Sequence, residues 1–550
     1  MKSYSSFLLI LFLALASSWW VHAESEPEVP EALKGENLPK GQYKKLNRDR
    51  VTVIAQGDPK DALAYAAKYL EKHPDDLECR YLQVLAHSKL GDGEKALELA
   101  KEAVAKGLPG SRIASGPRNL IETLVATPGY KEFAAEHVPS LLHGPTVGAV
   151  TDNGAQFWVR TAEEVDVEIS VQSVIVGAKE APKTGTVKTS ADVDFTGIIK
   201  VEGLKPGTQY NYLVKIDGKD VEEGGSFTTF PEHGKPAEFE IGFGGGAGYT
   251  PWKEHMWNTV RKEKPAAFFL LGDNVYIDTP ECQETQRYCY YRRQSRPEFR
   301  AFAANTPVFA IWDDHDFGDN DCTSHLDPDK PAWKRGVLEV FRENWVNPSY
   351  GGGDDGAPGI WFKTAIGDVD FFFLDCRYYR QNPKEVTENP SMIGPEQKKW
   401  LLEEVKQSKA TFKVLCSSVP WAPGAKGKSK DTWDGFPEER QEIFDFLADN
   451  DVTGVVLVAA DRHRSDAWKI ERDKGYTLYE FQSSKLTNVH THGVLPASLF
   501  GINDNSFGLI KFDTKAKDPT VTYRILDIEG KEHHSLTLKL SQLSGGEKKR

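Results

Sequence analysis

Past its first two dozen residues the sequence has no apolar run long enough to cross a bilayer, which excludes a multi-span membrane protein. Cysteine is scarce, six in 550 residues, and no CxxC pair occurs. That excludes a disulfide framework and a zinc-ribbon site. Positive charge is in deficit: 68 Lys and Arg stand against 81 Asp and Glu, a net −13. An acidic surface does not draw nucleic acid at long range, so no nucleic-acid affinity is expected. It suits small substrates and tolerates a locally cationic metal site. Wholesale disorder is excluded too, because 39% of residues are apolar and 11% aromatic. The length exceeds what one core can hold, so several domains are expected.

What is present begins with a targeting pattern. Lys2 is followed by an apolar run from Phe7 to Ala16 and a cleavage-like Val21-His22-Ala23. This predicts a signal peptide over 1–23, with an uncleaved anchor as the alternative. Cleavage removes only Lys2 among charged residues, taking the net charge to about −14 and leaving no membrane span. The chain is then expected to be exported, to the periplasm, the envelope or the extracellular medium. Residues 24–44 are rich in Glu and Pro and read as a linker.

Residues 45–140 carry helical spacing, and Gly57-Asp58 recurs as Gly91-Asp92 at an offset of 34, the period of tetratricopeptide (TPR) helix pairs. A TPR-like helical domain follows, acting as a structural cap or as a groove for a protein partner. Residues 141–232 alternate with period two and predict a fibronectin-like β-sandwich, with Tyr210 after Pro206-Gly207 resembling a tyrosine corner. Residues 237–541 alternate buried strands with helices, an α/β layered domain, and 542–550 form a polar tail. Cys282 and Cys289 share one polar loop and either pair or stay free thiols. Polar loops over 279–293 and 351–359 are candidate lids. Trp252, Tyr290, Tyr291, Trp421 and Trp433 either wall a pocket or simply pack.

The chemistry lies where apolar runs end. Ala266–Leu271 ends in Gly272-Asp273-Asn274, Val308–Trp312 in Asp313-Asp314-His315-Asp316, Val369–Leu374 in Asp375, and Val455–Ala460 in Asp461-Arg462-His463. A single Asp at a strand end is as readily a helix cap. Four acidic strand ends with two His point instead to cations, because gathered carboxylates repel one another and resist ionisation when buried. Two such ions would bind an oxyanion and activate a water.

These segments, with Arg296-Pro297-Glu298-Phe299-Arg300 and Gly394-Pro395-Glu396-Gln397, resemble the PhoD-like alkaline phosphatases, a branch of the metallophosphoesterases. The resemblance runs from about Leu142 to Leu499 and includes the β module that precedes the catalytic domain in that family. It implies a metallophosphatase domain hydrolysing small phosphate esters with two or more metal ions, calcium and/or iron. Position by position, it implies Asp273 as the bridging ligand, Tyr276 as a phenolate ligand and Asn320 as an oxygen ligand, with Asp461 and His463 completing the shell. Asp314 is either a further ligand or a residue that orients one. His315 stands near the leaving oxygen, where as imidazolium it stabilises the transition state or donates a proton. Arg377 and Arg380 contact phosphate or pair with Asp375.

One departure matters. Gly246 stands where iron-dependent relatives have a Cys ligand. Calcium-only chemistry, a water in that position, a replacement such as His255, and lost activity are all open. So is a close backbone approach of the Gly244–Gly246 run to phosphate. Two readings other than phosphate-ester hydrolysis follow: a degenerate metal-binding pseudoenzyme serving in binding or assembly, and hydrolysis of a sulfate or phospholipid head-group ester.

Overall fold

The computed structural model describes residues 26–39, 43–175 and 180–545. The expected signal peptide and the last five residues of the polar tail lie outside them. Among the described residues no helix is long and apolar enough to cross a membrane.

Two helix pairs follow one another, Leu46–Ala55 with Pro59–Leu70 and Leu77–Lys89 with Gly93–Ala105, and their second helices start at the 34-residue spacing. Asp58 and Asp92 cap the second helix of each pair, accepting from Asp61 N at 3.2 Å and Lys95 N at 3.3 Å. The preceding segment is not a free linker. Leu33 is buried, its carbonyl accepts from Arg296 Nη1 at 2.6 Å, and Gly35 abuts Pro251 so closely that a Cβ would lie 2.5 Å from the ring. One apolar residue anchors a stretch whose Glu and Pro content suggested solvent.

Leu141–Gly148, Gly154–Thr161 and Thr196–Glu202 pair antiparallel. Lys183–Lys188, Asp166–Ser173, Gln209–Ile216 and Lys219–Thr228 form a second sheet in that order. Phe157 of the first sheet meets Tyr212 and Phe227 of the second, with ring centroids 4.6 and 5.6 Å apart. The Tyr210 hydroxyl accepts from Lys205 N at 2.9 Å, pinning the turn before its strand. The three-stranded sheet is not closed. Leu141–Gly148 runs parallel beside Val308–Ile311, so the β module and the α/β domain share one nine-stranded sheet. A boundary near 232 therefore cuts a continuous sheet, a pairing between distant segments that local alternation does not encode.

The nine-stranded sheet continues through Phe268–Leu271 and Glu238–Gly244 to three antiparallel strands between Ser506 and Lys539. A seven-stranded sheet holds Val369–Phe373, Phe412–Cys416, Val455–Ala459 and Leu478–Gln482 in parallel. The two sheets pack face to face: Phe269 meets Phe371 and Phe373 at 5.1 and 4.8 Å, and Phe371 meets Phe512 at 5.8 Å. Helices cover the outer faces, with Trp257 and Phe302 on one side and Trp400 on the other. Strands buried on both faces explain the unbroken apolar runs. A bridge from Gly245 to Ser484 joins the sheets at the carboxyl ends of their parallel strands.

All six cysteines are free and buried. Cys282 immediately precedes the helix Gln283–Gln294 and Cys289 lies within it. Seven residues of helix separate them by roughly 10 Å, too far for a bridge. The expected polar loop and lid over 279–293 is thus mostly helix, with Tyr290 and Tyr291 buried. Trp421 and Trp433 are buried and stack on each other at 4.2 Å. Packing explains these rings.

Candidate metal centre

Gly272 follows Phe268–Leu271 with φ +101, and a Cβ there would lie 2.5 Å from Asp313 Cβ. Only glycine fits that turn. Asp273 comes next and is buried. The Tyr276 hydroxyl donates to Asp273 Oδ2 at 2.8 Å and lies 3.1 Å from His463 Nε2. Asn488 Nδ2 donates to the same hydroxyl at 2.6 Å. The strand Val455–Ala459 delivers Asp461 and His463. Asp273, Asp461 and His463 all have positive φ, 53°, 64° and 49°. Such backbone strain in non-glycine residues concentrates at functional sites.

The strand Val308–Ile311 delivers the acidic run. Asp316 accepts from the backbone of Asn274, Val275 and Asp313 at 3.1, 2.8 and 3.1 Å, tying two strand ends together. Asp314 accepts from His315 N at 3.0 Å and Asp321 N at 2.7 Å. His315 Nδ1 is hydrogen-bonded to Asp278, and its ring lies 4.3 Å from that of Tyr276. Ligand atoms of Asp273, Asp314 and His315 all fall within 4.8 Å of one another, as do those of Asp314, Asp321 and Asp431.

The charges at this centre are unbalanced in a way that suits cations. Asp273 Oδ1, Asp461 Oδ2 and His463 Nδ1 are buried without a hydrogen-bond partner. Burial pushes Asp273 up to about 7; Asp314 and Asp461 add to this and His315 opposes it. For His315, burial disfavours the imidazolium, but Asp314, Asp273 and Asp278 outweigh it and raise the group to about 10. Orphaned carboxylate oxygens beside imidazole and phenol are an oxygen- and nitrogen-donor set that fits divalent or trivalent ions. Asp273, Tyr276, Asp461 and His463 would hold them.

A pH dependence follows. A carboxylate ligand binds metal only when deprotonated, and the proton on Asp273 competes below about 7. Affinity of the metal-free chain for calcium or manganese is expected to fall roughly ten-fold per unit below that pH and to level off above it. Calorimetric titration between about pH 5.5 and 8.5 reads this, and a flat profile would remove Asp273 from the ligand set.

Other expectations meet a different arrangement. Arg377 is fully buried, and its fork faces Asp313 at 2.6 Å and Asp431 at 2.7 and 3.2 Å, not open space. Asp375 instead accepts from the Arg377 backbone at 3.0 Å and from Trp312 Nε1 at 2.8 Å. Arg380 also turns to Asp431, at 2.9 Å. Neither guanidinium is left to contact phosphate. Asn320 is exposed, whereas its neighbour Asp321 pairs with Lys426 at 3.1 Å. His255 is half exposed and pairs with Glu529 at 3.3 Å, so it replaces no ligand here. The amides of Gly245, Gly246 and Ala247 already donate to the carbonyls of Ser483, Gly272 and Asp273. The glycine run therefore has no free amides for phosphate.

Sequence reasoning missed several residues. Lys426 sits 3.2 Å from Asp461 and 2.7 Å from Asp431, reached from a polar loop without any motif. Asn488, His490 and His492 follow the strand Leu478–Gln482. Nitrogens of His463, His490 and His492 lie within 4.8 Å of one another. Burial and then Arg462 push His492 down to about 3. Burial and then Lys44, Lys485 and Arg462 lower His490. The closely spaced His490 and His492 were the one legible signal. Lys44 and Arg48 enter from the helical segment: Lys44 Nζ lies 3.4 Å above the Tyr276 ring, and Arg48 bonds the Tyr276 carbonyl at 2.7 Å and Asp278 at 2.6 Å.

Comparison with known proteins gives a consistent picture. The family profile described as PhoD-like phosphatase matches residues 242–498. One described as a domain of unknown function (DUF7800) matches 138–232. Alkaline phosphatase D of Bacillus subtilis (strain 168) is 24% identical over 360 residues, covering 55% of this chain and 58% of that protein. The chain thus spans less than two thirds of that curated relative. A solved structure of PhoD superposes with a TM-score of 0.62 at 19% identity, over 72% of this chain and 90% of the other. The purple acid phosphatase PPD1 from yellow lupin does so at 0.52 and 11%, over 72% and 75%. These likenesses establish a metallophosphatase-like α/β fold.

Proposed function

We propose that this chain, whose residues 242–498 match the PhoD-like phosphatase family, is an exported, metal-dependent phosphoesterase that hydrolyses small organic phosphate esters. The observation that carries the reading is the meeting of Asp273, Tyr276 and His463 from two different sheets, with a buried oxygen on each of Asp273 and Asp461 that takes no hydrogen bond. When bound there, two or more cations, calcium and/or iron, would polarise phosphoryl oxygens and acidify a water. The oxygen donors suit calcium and the Tyr276 phenol suits iron.

The chain's own residues supply the rest. Asp278 holds His315 Nδ1, which leaves Nε2 to carry the proton for the leaving oxygen. Arg377 takes no phosphate in this scheme; it holds Asp313 beside Gly272 and so keeps the two strand ends in register. Asp314 acts as a ligand or orients His315, whose amide it accepts. Export rests on the signal-like pattern of residues 1–23, and the finer domain reading, TPR-like helices before a fibronectin-like sandwich, on repeat spacing and strand order.

The test is turnover of p-nitrophenyl phosphate and bis-p-nitrophenyl phosphate at alkaline pH, after chelation and with calcium, iron, manganese or zinc restored. His315→Gln is expected to lower kcat roughly 10²-fold with metal content unchanged. Undiminished kcat in that variant would remove His315 from proton transfer. A second reading, a degenerate pseudoenzyme, is favoured by Gly246, which offers no side-chain ligand, and by Lys426 on Asp461. A folded chain that binds metal and turns over neither ester would support it.

A further inference from the structure

Lys44 reaches this centre from outside both regions that match known families. It sits just ahead of the first long helix, on a short turn spanning Tyr43–Lys45, and it is only 7% exposed. Its backbone is held in place. Arg292 Nη2 donates to the Lys44 carbonyl at 3.1 Å. Tyr43 packs its ring against Tyr249 and Trp252 at 6.1 and 6.0 Å. One turn further on, Arg48 locks onto the Tyr276 carbonyl and Asp278. The helical segment is therefore clamped to the same loop that carries Asp273, Tyr276 and Asp278.

The ammonium lies over the Tyr276 ring and donates to Asn488 Oδ1 at 3.3 Å. Asn488 in turn donates to the Tyr276 hydroxyl. Among the described residues no carboxylate pairs with Lys44 within 4 Å, unlike Lys426, which holds three. A buried ammonium with no carboxylate in contact is costly, and the more distant Asp273 and Asp278 offset only part of its burial. Next to a centre that gathers metal cations it would also be repelled by them. An anion placed between the ammonium and the cations removes both penalties. An ammonium has three donors, and a single amide oxygen does not exhaust them.

We propose that Lys44 binds a non-bridging oxygen of the substrate's phosphoryl group, so that the N-terminal helical segment completes the active site instead of merely capping it. The inference rests on the phosphoesterase reading above. It makes the helical segment the carrier of a substrate-binding residue.

The test measures binding of inorganic phosphate to the metal-loaded full chain by calorimetry near pH 7, where Lys44, lowered by burial to about 8, is still an ammonium, with metal content by mass spectrometry, beside turnover at the same pH. Lys44→Met is expected to weaken phosphate binding roughly 10- to 100-fold and to raise KM for the ester, at unchanged metal content. Lys44→Arg should keep most of the affinity. Lys60→Met, an exposed change on the same helical segment, should behave as the parent chain. Parent-like phosphate binding in a folded Lys44→Met chain overturns the proposal. So does an increase in bound metal in that variant, which would mark Lys44 as a stand-in for an ion. If Lys44→Met does not fold, loss of phosphate binding in a folded, fully metallated Lys44→Arg chain overturns it instead. A chain without turnover whose phosphate binding still depends on Lys44 sinks the phosphoesterase reading and upholds only the Lys44 contact to a phosphate oxygen. No phosphate binding with any metal overturns both.

Discussion

Replacing Asp273 with alanine is expected to lower phosphate-ester turnover by roughly 10³-fold or more, beyond the 10- to 100-fold typical of residues that only support a ligand. At least one equivalent of metal should be lost with it. Asp273 is the carboxylate on which the centre converges: one oxygen takes the Tyr276 hydroxyl and the other is buried without a partner. Asp273→Asn, which keeps the shape, should lose nearly as much, since a neutral amide is a poor cation ligand. The two variants should also differ from the parent in metal-free stability, with a sign that can be worked out. The folded-state pKa of Asp273 is raised from the usual carboxylate range to about 7, so its ionised form destabilises the metal-free fold. That penalty is absent well below pH 4, grows between about 4 and 7, and is complete above 7. Asp273→Asn should therefore gain stability over the metal-free parent as pH rises through this window, while losing the stabilisation that added metal gives. Turnover and metal content both unchanged would show that the ions, if bound, sit elsewhere.

Replacing Arg377 with methionine is expected to cost the α/β domain about 3–5 kcal/mol, read as a lower denaturation midpoint. Its guanidinium is fully buried and satisfies two carboxylates and the Cys322 carbonyl. Asp431 would keep Arg380 and Lys426 as partners, at 2.9 and 2.7 Å. Asp313 would keep only neutral donors, the Ser418 hydroxyl at 2.9 Å and the Asp316 backbone amide of the capping box. The loss thus falls on Asp313, which stands against Gly272 and the Asp273 turn. Arg380→Met should cost distinctly less, because Asp431 retains two cations. Equal losses in the two variants would mean that Asp431, and not Asp313, is the carboxylate left exposed to the penalty.

Local pattern determined a good deal about this protein. Apolar runs of four to six residues ending in Gly272-Asp273, Asp313-Asp314-His315 and Asp461-Arg462-His463 are buried strands with polar ends, and such strands place their end residues at one rim of a sheet. The 34-residue recurrence of Gly-Asp is two capped helices, because the cap is a bond over three residues. The Tyr210 turn closes over five. In each case the cause and its effect lie within a few residues of one another.

What only the tertiary structure decided depends on partners far apart in the chain. Arg377 was open between phosphate and Asp375, and it meets Asp313 and Asp431, 64 and 54 positions away. The glycine run was open to phosphate, but its amides are consumed by carbonyls of two other strand ends. Asn320 and Asp321 are adjacent, and only packing determines that Asp321 and not Asn320 reaches Lys426. Lys44 lies 444 residues from Asn488 and carries no motif at all. A side chain's charge and shape are local properties that sequence displays. Its counter-charge is whichever group the folded backbone brings within about 4 Å, and in a buried centre that choice sets whether it binds substrate, holds a ligand or is neutralised.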